Sequence, residues 1–214
     1  MKVQIEKMLS LIRKGQVAEG EIEALISRLK AALAENTAQG KELGPYIRLI
    51  KQAQKAQARP TGLSWLPLLK GSLAIGHKPG GKLSFAGLQA EGVTAVLTLL
   101  QEKEGALLIG QQVQKAGMGW IWFPFSASRP HTGEAAQEVI TLYEEMEALL
   151  AGGGRLYIHC SAGIHRTGMI TYGLLRYLGQ GEADARESLL RLRSVTAEQA
   201  GEERLTWGDQ FARG

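Results

Sequence analysis

The chain has 214 residues, of which 44% are apolar and 21% charged, with a formal net charge of +4. That size suits one domain of about 150 residues plus an appendage, and the apolar share is ordinary for a globular protein with a substantial core. No run of about 18 apolar residues occurs, which excludes a membrane-spanning helix, and the single cysteine excludes an internal disulfide.

Met1-Lys2-Val3-Gln4-Ile5-Glu6 has no apolar core of a secretory signal, so a cytoplasmic, reducing location is expected. The charge is uneven. Residues 1–60 carry 11 Lys/Arg against 6 Glu, and the remainder is close to neutral. This N-terminal stretch reads as helix throughout. Ile5, Met8, Leu9 and Ile12 recur at helical spacing, and so do Ile22, Leu25, Ile26, Leu29 and Leu33. A third helix is expected from Pro45, a first-turn proline, to about Ala58, before Arg59-Pro60 stops it. The expectation is a small bundle or hairpin over residues 1–60 that caps the rest, holds a protein partner or self-associates. Arg48, Lys51, Lys55 and Arg59 make a basic stripe on the third helix, read as a solvated face or as a patch for an anionic partner. No aromatic platform is interleaved with it, so a nucleic-acid partner is not favoured.

Arg59-Pro60-Thr61-Gly62 reads as a linker into a second domain over 61–214. Leu63 to Gly76 holds one or two short strands, and His77-Lys78-Pro79-Gly80-Gly81 is a turn cluster. A helix from Leu83 to about Glu91 precedes Val93–Leu100, an apolar run suited to an interior strand. A helix near Glu104–Lys115 leads to the strand Gly119–Pro124, in which the aromatic residues Trp120, Trp122 and Phe123 are expected in the core or, on one face, lining the site. A long helix spans about Thr132–Ala151 and ends at Gly152-Gly153-Gly154. Leu156–Ile158 is a short buried strand, Met169–Leu178 a helix, and two more helices are expected near Glu182–Arg193 and Ala200–Phe211. The alternation predicts an α/β fold, a mixed central sheet flanked by helices, with an N-terminal helical extension.

Chemistry concentrates in His159-Cys160-Ser161-Ala162-Gly163-Ile164-His165-Arg166-Thr167-Gly168, a glycine-bearing loop between a strand and a helix N-terminus. The amides of Ser161, Ala162, Gly163, Ile164, His165 and Arg166 can converge on an anion, and the helix dipole adds positive potential. The same field lowers a thiol pKa, so Cys160 is expected as a thiolate. Arg166 can grip two phosphate oxygens, and Thr167 can hydrogen-bond the sulfur and make it a better leaving group. His159 is read as orienting the loop through backbone hydrogen bonds, and His165 as either a helix-start surface residue or a substrate contact. A nucleophile, an anion cradle and a bidentate cation in ten residues describe phosphoryl transfer through a cysteinyl-phosphate.

These residues resemble the signature of the protein tyrosine phosphatase superfamily, His-Cys-x-x-Gly-x-x-Arg-Ser/Thr-Gly, at every fixed position. Gly71-Ser72-Leu73-Ala74-Ile75-Gly76 resembles the opening strand of dual-specificity phosphatase domains. The resemblance covers roughly 62–214 and is strongest at 155–178. It implies the cysteine-phosphatase fold, Cys160 as nucleophile, no cofactor, and a phosphorylated protein or small phosphoester as substrate.

The family mechanism also uses an Asp about 30 residues before the cysteine as general acid. The corresponding loop here, Phe123-Pro124-Phe125-Ser126-Ala127-Ser128-Arg129-Pro130-His131, contains none, and the position expected for it is near Ala127. The chain's only aspartates, Asp184 and Asp209, lie downstream; they read as a helix-start charge and a surface residue. Three readings are open. His131 or Glu134 replaces the acid, each weighed against an ordinary place at a helix start. Catalysis runs without an acid and favours phosphotyrosine and aryl phosphates. Or the domain is a pseudophosphatase that binds a phospho-ligand, with an enzyme on RNA 5′-phosphates or phosphoinositides a further alternative. Gln199 is available to position water. The four histidines show no metal-ligand spacing, so no metal is expected.

Overall fold

A computed structural model describes residues 2–13, 17, 19–34, 43–51 and 62–213 of the chain. The chain divides into two compact units, residues 1–61 and 62–214. In the first, α1 (Lys2–Arg13) and α2 (Glu19–Ala34) are joined by a helical stretch at 43–51, α3. Their apolar stripes meet: Ile5, Leu9, Ile12, Ile22, Ile26, Leu29, Leu43 and Ile50 are buried together, as helical spacing demands. Arg48 and Lys51 are exposed, whereas Lys55, Arg59 and the Arg59–Thr61 part of the linker lie outside the described residues. Among the described residues no helix is long and apolar enough to cross a membrane.

The second unit is built on a five-stranded sheet in the order β1-β2-β5-β3-β4, where β1 is Leu66–Leu68, β2 Gly71–Gly76, β3 Ala95–Thr98, β4 Gly119–Trp122 and β5 Arg155–His159. Only β1 runs antiparallel, so the sheet is mixed. The central β5 pairs Leu73, Ala74 and Ile75 of β2 with Leu156, Tyr157 and Ile158, and those same residues with Ala95, Val96 and Leu97 of β3. All of these side chains are buried, as expected of parallel strands covered on both faces. The covering helices are α4 (Phe85–Ala90), α5 (Ala106–Lys115), α6 (Ala136–Ala151), α7 (His165–Tyr177), α8 (Glu182–Leu192), α9 (Ser194–Gln199) and α10 (Glu202–Thr206).

Four local expectations shift. The helix expected from Glu104 is split: a 3-10 turn at Glu102–Glu104 ends at Gly105 in the left-handed region, and α5 begins after it. The helix expected from Thr132 opens as a 3-10 turn, Gly133–Ala135, before α6. The helix expected over Ala200–Phe211 starts only after Gly201 (φ +91°), as α10, and tightens to a 3-10 turn at Trp207–Phe211, while α9 forms before it where no helix was expected. Asp209 is no free surface charge. It accepts from Tyr172 Oη at 2.9 Å and Arg176 Nε at 2.8 Å, which fastens this last turn to α7.

That contact explains a glycine inside a helix. At Gly173 a Cβ would lie 2.2 Å from Tyr143 Oη and 3.5 Å from Gly208 Cα. Alanine at an unconstrained helix position is worth up to about 1 kcal/mol over glycine. Here overpacking against buried Tyr143 outweighs that gain, and Gly173→Ala is expected to destabilise by about 1–3 kcal/mol. Thermal unfolding checks this: the midpoint should fall by roughly 3–10 °C.

Candidate active site

β5 ends at His159, and the chain turns through Cys160–Ile164 into α7, so the loop sits at the C-terminal edge of parallel strands where open α/β sheets bind ligands. Gly163 makes the turn possible. Its φ is +70°, and a Cβ there would lie 2.2 Å from Gly76 O at the end of β2.

The loop carbonyls all have partners outside the cradle. Cys160 O accepts from His159 Nδ1 at 3.0 Å, and Ser161 O from the Lys78 amide at 3.0 Å. Ala162 O accepts from Arg193 Nη1 at 3.2 Å; Gly163 O takes Arg193 Nη1 at 2.8 Å and Thr196 Oγ1 at 2.7 Å. With the carbonyls engaged elsewhere, the amides are the groups left to stabilise the sulfur. Burial alone pushes the Cys160 thiol up, but the Thr167 hydroxyl and amide and the amides of Ile164 and Gly163 outweigh it and hold the thiol below its ordinary value.

His159 is fully buried in a relay. A carbonyl only accepts, so Nδ1 carries the proton toward Cys160 O. Nε2 is then the acceptor, and Thr98 Oγ1 donates to it at 3.0 Å. Trp120 Nε1 in turn donates to Thr98 Oγ1 at 3.0 Å. Burial leaves no room for a second ring proton and pushes the His159 pKa down to about 4.

Arg166 shares its five N–H groups between fold and cleft. Nη1 donates to Glu104 Oε2 at 2.7 Å and to Leu99 O at 3.2 Å, and Nη2 donates to Glu104 Oε1 at 2.8 Å. This leaves Nε–H and one Nη2–H, which lie along one edge of the guanidinium, and, with Glu104, the nearby Cys160 thiolate helps to hold Arg166 charged. Glu104 accepts from the Gln101 amide as well, at 2.8 Å. The Arg166 guanidinium holds the Glu104 carboxyl below the usual carboxylate range.

A cleft of about 740 Å³ opens above the sulfur. It is lined by the loop, by Phe125–Arg129, and by Gln101, Lys103, Glu104 and Arg204. No protein-family model and no curated protein matches the chain in sequence. Solved structures do match it in fold. The kinase associated phosphatase, solved with its catalytic-site cysteine changed to serine, superposes with a TM-score of 0.60 at 18% identity, over 72% of this chain and 95% of its own. PTPMT1 gives 0.54 at 18% identity, over 69% and 92%, and has also been solved with PI(5)P. Tk-PTP gives 0.51 at 19% identity, over 70% and 97%. The fold is that of the cysteine phosphatases.

Within that cysteine-phosphatase fold the sequence candidates separate. Cys160, Ser161, Ala162, His165 and Arg166 line the cleft, and Gly163, Ile164 and Thr167 close around the sulfur beneath it. His131 and Glu134 do not line the cleft. His131 stacks on Phe125 at 5.6 Å, its carbonyl accepts from Trp207 Nε1 at 2.8 Å, and its Nε2 lies 3.3 Å from Glu138. Glu134 is exposed in the 3-10 turn before α6, and Gln199 is exposed on α9. Ala127 and Ser128 line the cleft where an acid was sought, and Glu104 is the one carboxylate among its lining residues. Glu104, Arg193, Thr196 and Thr98 were missed because each lies more than 25 residues from Cys160. No cluster able to hold a metal ion occurs among the described residues.

Two outcomes follow. Alkylation of Cys160 by iodoacetamide should titrate below the ordinary thiol pKa of about 8.5, and Thr167→Val should move the midpoint upward. His159 must charge in the unfolded chain near pH 6.5 but resists until about pH 4, so its share of stability is whole above pH 6.5 and lost as pH falls through 4. Urea unfolding at pH 7 and pH 4 should show a drop roughly 3 kcal/mol larger in the wild type than in His159→Asn.

Proposed function

We propose that the chain is a cysteine-dependent phosphatase that hydrolyses phosphate esters with good leaving groups through a cysteinyl-phosphate. The observation that carries this reading is Cys160 and Arg166 lining one cleft, with every carbonyl from Cys160 to Gly163 bonded to a donor outside it. A phosphate dianion in the cradle would take the amides and the free edge of Arg166, with phosphorus in line with the sulfur. The S–P bond forms, the P–O ester bond breaks, and its electron pair leaves on the departing oxygen. Water then attacks phosphorus, the S–P bond breaks, and Thr167 stabilises the returning thiolate.

The leaving oxygen receives no proton from a carboxyl group of the cleft wall. Glu104 is the one carboxylate there, and Arg166 keeps it ionised across the working range. A phenolate, whose conjugate acid has a pKa near 10, can leave unaided, whereas an alkoxide as basic as hydroxide cannot. Aryl phosphates and phosphotyrosine should therefore turn over and phosphoserine should not.

Hydrolysis of para-nitrophenyl phosphate from pH 4.5 to 8.5 tests the reading. Wild-type turnover is expected without the fall at high pH that deprotonation of a general acid would give, Cys160→Ser should be inactive, and Ala127→Asp should gain up to about 10²–10⁴ on poorer leaving groups. A Cys160→Ser protein that still hydrolyses the ester would sink the proposal. Phosphate binding without turnover would leave a phospho-ligand binding module in its place.

A further inference from the structure

The cleft holds more positive charge than one phosphate uses. Lys103, Arg129 and Arg204 line it together with Arg166. Glu104 cancels Arg166. Among the described residues, none of Lys103, Arg129 and Arg204 forms an ion pair, whereas Arg176, Arg186 and Arg213 each have a carboxylate partner. The Arg204 Nε is buried without a hydrogen-bond partner, while its Nη1 donates to Ala200 O at 3.3 Å. The three cations come from separate elements: the 3-10 turn after β3, the loop after β4, and α10. Unpaired like charges around one cleft repel, so their convergence asks for an anion other than the phosphate in the amide cradle.

A missing general acid and a surplus of cations describe one substrate. We propose that the bond cleaved is a phosphoanhydride: the terminal phosphoryl group of a chain of two or three phosphates transfers to Cys160, and Lys103, Arg129 and Arg204 hold the phosphate that leaves. This inference rests on the reading of Cys160 as nucleophile. In the step, the S–P bond forms, the bridging P–O bond breaks, and its electron pair departs on the leaving phosphate. A phosphate oxygen, with a second pKa near 6, needs no proton to leave at neutral pH. Cations beside it then do the work that an acid does for an alkoxide. Water attacks the cysteinyl-phosphate, the S–P bond breaks, the thiolate returns, and the proton goes to bulk water. The cleft adds little for an aromatic leaving group, because its one aromatic lining residue, Phe125, is fully buried.

The experiment is orthophosphate release from inorganic tripolyphosphate, a nucleoside triphosphate and para-nitrophenyl phosphate, each with chelator present, by wild type, Cys160→Ser, Lys103→Ala, Arg129→Ala and Arg204→Ala. Lys70→Ala, at the far end of β2, is the charge control. Tripolyphosphate should match or exceed para-nitrophenyl phosphate in kcat/KM. The ratio of the two should fall about ten-fold or more in at least two of the three cleft variants and stay within two-fold in Lys70→Ala. Activity on the nucleotide alone would assign the chain of phosphates to a nucleotide end, and activity on both to free polyphosphate as well. Turnover of para-nitrophenyl phosphate without cleavage of either anhydride would overturn this inference and leave the phosphatase reading standing. An unchanged ratio in all three variants would overturn it too, and inactivity on every substrate would overturn both.

Discussion

The active cleft depends on where the carbonyls of one loop find their donors. Between Cys160 and Gly163 four carbonyls meet His159, the Lys78 amide, Arg193 and Thr196, and none competes for the space around the sulfur. A buried thiolate is costly by itself, and burial raises the Cys160 pKa. It becomes favourable only because the amides of Gly163, Ile164 and Thr167 are released to face it. Gly163 is the hinge of this arrangement, since no side chain fits against Gly76 O. The His159 relay does the same on the sheet side, where a neutral ring locks Cys160 O to Thr98 and Trp120.

Arg166 shows how one residue serves both fold and chemistry. Three of its donors bind Leu99 O and Glu104, which follow β3, so the guanidinium plane is fixed from the neighbouring strand. A bidentate pair, partly shielded from water, is stiffer than an exposed one and keeps the remaining edge aimed. Glu104 pays for this position with its own chemistry, because a carboxylate tied to a guanidinium has no proton to give. The one acid in the cleft is thus a positioning group.

The α/β alternation, the central buried strands and the signature loop were legible because they depend on local spacing: apolar runs, a glycine, and ten consecutive residues. The loop's supports were not. Glu104 and Arg193 stand 62 and 30 residues from the groups they hold, Arg166 and Gly163. Nothing in either segment marks them, since an acid before an apolar run reads as an ordinary helix start. Asp209 was misjudged for the same reason, its partners Tyr172 and Arg176 being brought near only by the break at Gly201. His131 and Glu134 were within reach in sequence, yet Phe125 and Trp207 turn His131 into the packing.

The loop at Phe123–His131 connects these features. Phe125 is buried against Trp207 at 5.2 Å, and the amides of Phe123 and Phe125 bond back to Thr98 O and Leu99 O. Pinned at both ends, and carrying Pro124 and Pro130, it holds Ala127 and Ser128 at the cleft wall rather than swinging an acid in. Arg129, on the same rigid segment, brings a cation to that wall. A loop that supplies positive charge instead of a proton stabilises a leaving group that is already an anion and does nothing for an alkoxide. The same field favours the Cys160 thiolate and the bound phosphate, so a cleft with an excess of positive charge serves nucleophile, substrate and leaving group together.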